Sequence, residues 1–267
     1  MITGVGSYDP SASSTNGTSK ATTETVYVGS NPYLPYWWTG NFVTDTACFG
    51  GICVDKFNFF MANDTISGNP FTNVLGLGPD VSSNPNSLVK AMHKQNLVDK
   101  PIATVWLNSA NFTAPGLFVI GDIIPDMKDS QFTKHKNINH GSNTYWQLKL
   151  TKFQIDGKDQ TSSTTSAFVD PSSSMTVPYL DWPLYRSAIQ AASSDFTCNS
   201  IQCTSSTSDC TKYLSALPTF NYFIESVSYT MPPQTYVFSN AATTTCEVQI
   251  FASPLYDIMQ LGIPFAQ

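Results

Sequence analysis

Asp170 closes an apolar run and opens a turn of small hydroxyl residues, in the stretch "AFVDPSSSMTVP" from Ala167 to Pro178. A carboxylate held at such a turn can serve as a general acid or base when a second group shares its proton. It can equally cap its own loop, because Asp readily accepts hydrogen bonds from the hydroxyls that follow it. Six cysteines supply a second kind of chemistry. Cys48/Cys53 in "CFGGIC" and Cys198/Cys203 in "CNSIQC" would each bridge a small loop, which leaves Cys210 and Cys246 for each other. The competing readings are reduced core cysteines or a zinc site. Zinc favours CxxC-like or His-containing clusters, whereas His93, His135 and His140 lie far from the cysteines in sequence, so no metal site is expected.

Disulfides point to an oxidising compartment. Three N-x-[ST] sequons, at Asn16, Asn63 and Asn111, agree with secretion and with glycosylation. Only 12% of the 267 residues are charged, while 41% are hydrophobic and 13% aromatic, which argues against a disordered chain. The net charge of −6 gives no footprint for nucleic acid or anionic lipid. No apolar run reaches the roughly 18–20 residues of a membrane span.

The elements that must position these groups read mainly as strands: short runs of Val, Ile, Phe, Tyr and Thr between Gly, Pro, Asn and Ser. Expected strands include Glu24–Gly29, Cys53–Ala62, Thr104–Leu107, Leu117–Ile120, Tyr145–Ile155 and Phe220–Tyr229. Two short helices are predicted. Asn86–Leu97 places Leu88, Ala91, Met92 and Leu97 near one face, with His93 solvated. Asp181–Ser193 has Asp181 as N-cap and Pro183 in the first turn. Gln160–Ser166 and Thr204–Ser208 read as surface loops. So does the basic stretch holding Lys128, Lys134, His135, Lys136 and His140, because Asp126 and Asp129 lie among these cations.

The order of motifs resembles the pepsin-like aspartic peptidase family along nearly the whole chain. "YDPSASST" (Tyr8–Thr15) is similar to F-x-P-x-x-S-S-T, and "VYVGSNPYLPYWWTGNFVTDT" (Val26–Thr46) to the flap hairpin with a lengthened tip. "NVLGLGPD", "GLFVIGDI" and "YWQLKLTKFQIDG" resemble three further family motifs, and "DIMQLGIPF" resembles the I-L-G-D-x-F strand. "AFVDPSSSMTVP" falls on the motif of the second-lobe aspartate. The resemblance implies a mainly β, bilobal, pepsin-like fold built on psi-shaped loops. An N-terminal lobe and interlobe connection would occupy 1–140, and a C-terminal lobe 141–267. It also implies peptide hydrolysis by a water held between two aspartates that share a proton, without metal or cofactor.

Set against that family, Asp170 has altered company. Pro171 stands where Thr or Ser would offer an N–H and a hydroxyl, and Ser172 stands where Gly would make the tight turn. Ser173 keeps a hydroxyl. No D-T-G precedes Tyr8; the "TG" of "MITGVGS" lacks an Asp before it. The capping role is therefore favoured for Asp170. Tyr27 is the counterpart of the flap tyrosine, and Tyr33, Tyr36, Trp37 and Trp38 form either a binding surface over the cleft or a filling for it. The expected function is a non-catalytic extracellular or lumenal binding or structural module. The alternative is an active aspartic endopeptidase whose first catalytic segment lies outside this chain. Terminal strands of the family find no counterpart here, so another chain or a neighbouring copy is expected to cover open strand edges, around Ile258–Phe265 among others, and a peptide could occupy the cleft.

Overall fold

The computed structural model describes residues 9–15, 24–28, 36–65, 75–79, 87–107, 116–125, 127–138, 146–171, 173–253 and 258–266. The chain is mostly β and divides into two compact units, one drawn from Met1–Trp106 and Gly116–Phe132, the other from Thr133–His140 and Tyr145–Gln267.

In the first unit, β1 (Glu24–Val28), β2 (Tyr36–Phe49) and β3 (Ile52–Thr65) form an antiparallel sheet in that order. The long β2–β3 hairpin closes through Gly50 and Gly51, both at positive φ, and Cys48 pairs directly with Cys53 beside that turn. Helix α1 (Leu88–Lys94) is capped by Ser87, whose side chain accepts the Lys90 N–H. It ends where Asn96 turns to φ 57° and the Leu97 N–H reaches back to the Met92 carbonyl. That turn carries Leu97 off the apolar face expected for it, and it is exposed. Leu88 and Met92 instead pack with Val54 of β3, flanked by Phe49, Phe57 and Ile120. His93 is exposed. A two-stranded ribbon, β4 (Ala103–Trp106) with β5 (Leu117–Ile120), completes the unit's described strands. The buried Asp45 ties two motifs together, accepting from the Thr15 hydroxyl and from the Thr46 N–H.

The second unit runs through β6 (Trp146–Ile155), β7 (Lys158–Gln160), β8 (Ser166–Val169), β9 (Met175–Pro178), α2 (Trp182–Ala192), β10 (Phe196–Cys198) and β11 (Cys203–Ser205). It continues with β12 (Phe220–Ile224), β13 (Val227–Met231), α3 (Pro233–Tyr236), β14 (Val237–Asn240), β15 (Thr245–Val248), β16 (Ile250–Ser253), β17 (Met259–Leu261) and α4 (Ile263–Ala266). The main sheet has the order β13-β12-β6-β8-β17-β9-β16, with β7 paired to β6; a smaller one has the order β10-β11-β15-β14. The core is aromatic. Phe153 stacks on Tyr185 and Tyr222 with ring centroids 5.0 and 5.2 Å away, and Phe220 packs on Tyr185 and Tyr236. The buried hydroxyls are paired: Tyr222 donates to Tyr185 at 3.2 Å, and Tyr236 to the Pro218 carbonyl at 2.6 Å. Burial pushes all three phenols well above their ordinary pKa.

Several expectations are corrected in this unit. Phe220–Tyr229 is a hairpin rather than one strand, because Glu225 takes φ 55° between β12 and β13. Asp181 precedes α2 but makes no cap bond; its carboxylate reaches instead to Ser162–Thr164. This makes the expected surface loop at Gln160–Ser166 an anchored one, with Thr164 buried. Thr204 and Ser205 lie in β11, not in a loop. His135 is not solvated: its side chain is 9% exposed, its Nε2 lies 2.5 Å from the Tyr229 hydroxyl, and its Nδ1 lies 3.4 Å from Glu225. Strand β17, within the segment expected as an open edge, is paired on both sides. Beyond the two anticipated helices, α3 and α4 are single turns.

Candidate functional site

Asp170 sits in a psi-shaped loop. The chain leaves β8, turns through Asp170 to Ser174 and returns as β9, and β17 threads between the two arms. Strand β17 runs parallel to β8, with Leu261 opposite Val169, and antiparallel to β9, with Gln260 opposite Thr176. The crossing is tight. The Asp170 N–H donates to the Leu261 carbonyl at 3.0 Å, and the Ile263 N–H to the Ser173 carbonyl at 2.7 Å. Gly262 is required between them: a Cβ there would lie 2.4 Å from the carbonyl oxygens of both Ser173 and Ser174.

The half-buried Asp170 carboxylate is held inside its own loop. The Ser173 hydroxyl lies 3.3 Å from Oδ2, and the Gln260 side-chain amide donates to the same oxygen at 3.3 Å. Gln260 also donates to the Ser173 hydroxyl, and its carbonyl accepts from Thr176 at 3.3 Å. Pro171 is half-buried and has no N–H to offer; Ser172 lies outside the described residues. Among the described residues no group of three His, Cys, Asp or Glu side chains could hold a metal ion.

The β1–β2 pairing sets Tyr27 opposite Trp37 and Val26 opposite Trp38, the hairpin expected of the flap motif. Tyr33 and the side chains of Tyr27, Tyr36, Trp37 and Trp38 lie outside the described residues, as do Asn16, Asn111 and the side chain of Asn63. All three disulfides are present: Cys48–Cys53, Cys198–Cys203 and Cys210–Cys246. The first two join directly paired strand positions, and the third closes a separation of 36 residues. No described helix is long and apolar enough to cross a membrane.

The residue that sequence reasoning missed is Gln260. Its signal was there, an amide inside the apolar run "IMQLGIPF", but which carboxylate it would meet depends on β17 passing between β8 and β9.

The sequence model of the eukaryotic aspartyl protease family matches residues 2–267, and the psi-shaped loop carries an aspartate directly after β8. The chain belongs to the eukaryotic aspartyl protease family. It is similar to gastricsin of Homo sapiens, 26% identical over 96% of this chain, and to gastricsin of Macaca fuscata fuscata, 25% identical over 91%. Cathepsin E-B of Xenopus laevis is 30% identical over 64% of the chain. The chain spans 63% and 62% of the length of the two gastricsins. Within this family the fold is pepsin-like; no D-T-G or D-S-G triplet occurs in residues 1–267.

Proposed function

We propose that this family member is non-catalytic and acts as a binding or structural module of an extracellular or lumenal compartment. The observation that carries the reading is the state of Asp170: its carboxylate is engaged by Ser173 of its own loop and by Gln260 of β17, beside a proline that cannot donate. The family chemistry needs two carboxylates sharing one proton, one activating water and one polarising the carbonyl. Losing a general acid or base removes a factor of about 10² to 10⁴ before positioning is counted. Three disulfides support the oxidising compartment. An interface with another chain or a neighbouring copy, or with a peptide, is the expected mode of binding, and the aromatic run Tyr33–Trp38 the expected surface.

A second reading is an endopeptidase whose first catalytic aspartate is supplied from outside these 267 residues; the chain's coverage of only 60–63% of the gastricsins favours it. The test is digestion of denatured protein by the purified chain at acid pH, with and without a statine-type inhibitor. No inhibitor-sensitive cleavage is expected. Cleavage that the inhibitor blocks and that Asp170→Asn abolishes would overturn the non-catalytic reading.

A further inference from the structure

Gln260 is an unusual residue for its place. It lies in the middle of a three-residue central strand whose neighbours Met259 and Leu261 are apolar and buried, and it is itself 0% exposed. An amide in such a position must satisfy both ends or lose solvation that nothing returns. Gln260 does satisfy them. Its carbonyl accepts from Thr176 on β9, and its two amide hydrogens go to Asp170 Oδ2 and to the Ser173 hydroxyl. The hydroxyl hydrogen of Ser173 is then free to point at the same carboxylate oxygen, 3.3 Å away. The donors and acceptors close into a ring of three side chains, with the carboxylate as the sole acceptor-only member.

The ring joins separate parts of the backbone. Asp170 begins the turn, and the following residue, Pro171, has no N–H. One donor lies in the same loop, the Ser173 hydroxyl, and another comes from a strand 90 residues further along the chain. Because Gln260 stands opposite Phe168 on β8 and Thr176 on β9, one side chain spans both arms of the loop.

We infer that Gln260 is the positioning residue of the Asp170 loop: its amide bridges the carboxylate and the Ser173 hydroxyl and ties both to the central strand. Gln260 holds the carboxylate as an internal acceptor and pins the loop to the central strand. The inference deepens the non-catalytic reading and rests on it only for its functional consequence. Peptide hydrolysis by the chain would sink that reading and leave the pairing untouched.

The test is a mutant cycle on the full chain, read by urea unfolding, with Gln260→Leu, Asp170→Asn, Gln260→Glu and the swapped pair Asp170→Asn/Gln260→Glu. Gln260→Leu is expected to raise the unfolding equilibrium constant roughly tenfold to a hundredfold, the range for a hydrogen bond to a charged group. Gln260→Glu, which sets two carboxylates against each other, is expected to cost more. The swapped pair keeps one acid and one amide with their places exchanged and is expected to recover at least about tenfold over Gln260→Glu. A spectroscopic readout stands beside the cycle, since a substitution can simply prevent folding. The Gln260 side-chain amide protons should exchange slowly with solvent in the wild-type protein, and Asp170→Asn should move their resonances and speed their exchange. Additive effects in the cycle, or amide protons that exchange freely and ignore Asp170→Asn, would overturn the assignment.

Discussion

Replacing Asp181 tests how the second unit is held together, because the structure and the sequence motif assign that residue different work. As an N-cap its loss would cost about 1 kcal/mol. The structure makes no cap bond and buries the carboxylate to 2% exposure, where it accepts from the Ser162 hydroxyl at 2.7 Å, the Ser163 N–H at 2.7 Å and the Thr164 hydroxyl at 2.9 Å. In Asp181→Ala, Ser162 and Ser163 can turn to water, since both keep some exposure. Thr164 cannot: it is buried, and its hydroxyl would be stranded at a cost of about 1–3 kcal/mol. Adding the lost bonds to the carboxylate gives an expected destabilisation of about 3–5 kcal/mol. Asp181→Asn should cost only about 1 kcal/mol, because its oxygen can keep the Ser163 N–H while both hydroxyls rotate to accept from its amide. Thr164→Val should fall between, at about 1.5 kcal/mol. Urea unfolding followed by the fluorescence of buried Trp182, whose indole N–H donates to the Asn199 carbonyl at 3.2 Å, reports on this region directly. If Asp181→Ala cost no more than a lost cap and Thr164→Val were silent, the anchoring argument would fail.

Gly262→Ala should destabilise the chain by more than about 3 kcal/mol, because its Cβ would collide with backbone rather than with a movable side chain; wild-type-like urea unfolding would refute the tight crossing. Removing Cys210–Cys246 should cost about 4 kcal/mol in the chain-entropy model, against about 2 kcal/mol for either five-residue bridge, as measured by unfolding of paired Cys→Ala variants. Asp195 takes a hydrogen bond from Lys212 and a second from Tyr213, which hold its carboxyl below the ordinary value of 3.8. Its contribution to stability is therefore present above pH 3.8 and fades as the pH falls through the lowered folded value. Carbon-13 titration should show that midpoint, and Lys212→Met should raise it. His135→Phe and Tyr229→Phe should be non-additive and should speed amide exchange at Ile138, three residues along from His135, whose N–H donates to the Gln147 carbonyl; independent effects would refute the pairing.

Alternation and punctuation carried much of the fold into the sequence. Strands such as Trp146–Ile155 and Leu117–Ile120 were legible because their apolar and β-branched residues are bounded by breakers; α1 was marked by its apolar face and α2 by its first turn. The cysteine pairs were legible too, because each of the two short bridges spans a turn whose length its spacing already sets. Reading failed where a polar side chain bonds to a distant element. Asp181 carried a helix-start signal, yet it reaches back 17–19 residues to another loop. His135 sat among cations and acids that advertised solvent, yet it docks beside Tyr229, 94 residues away.

The Asp170 loop shows where that boundary falls. The sequence alone determined that an aspartate closes an apolar strand, that a proline removes the next donor and that hydroxyls follow, since each of these is a property of covalent structure and local conformation. Only the tertiary structure decided what the carboxylate does. One of its partners comes from β17, and no local preference places Gln260 opposite Phe168 and Thr176; that follows from a strand threading between two others in a fixed register. Hydrogen bonds to the half-buried carboxylate depend on angles and separations of a few ångströms between segments 90 residues apart, and such distances are set by the packing of the whole sheet.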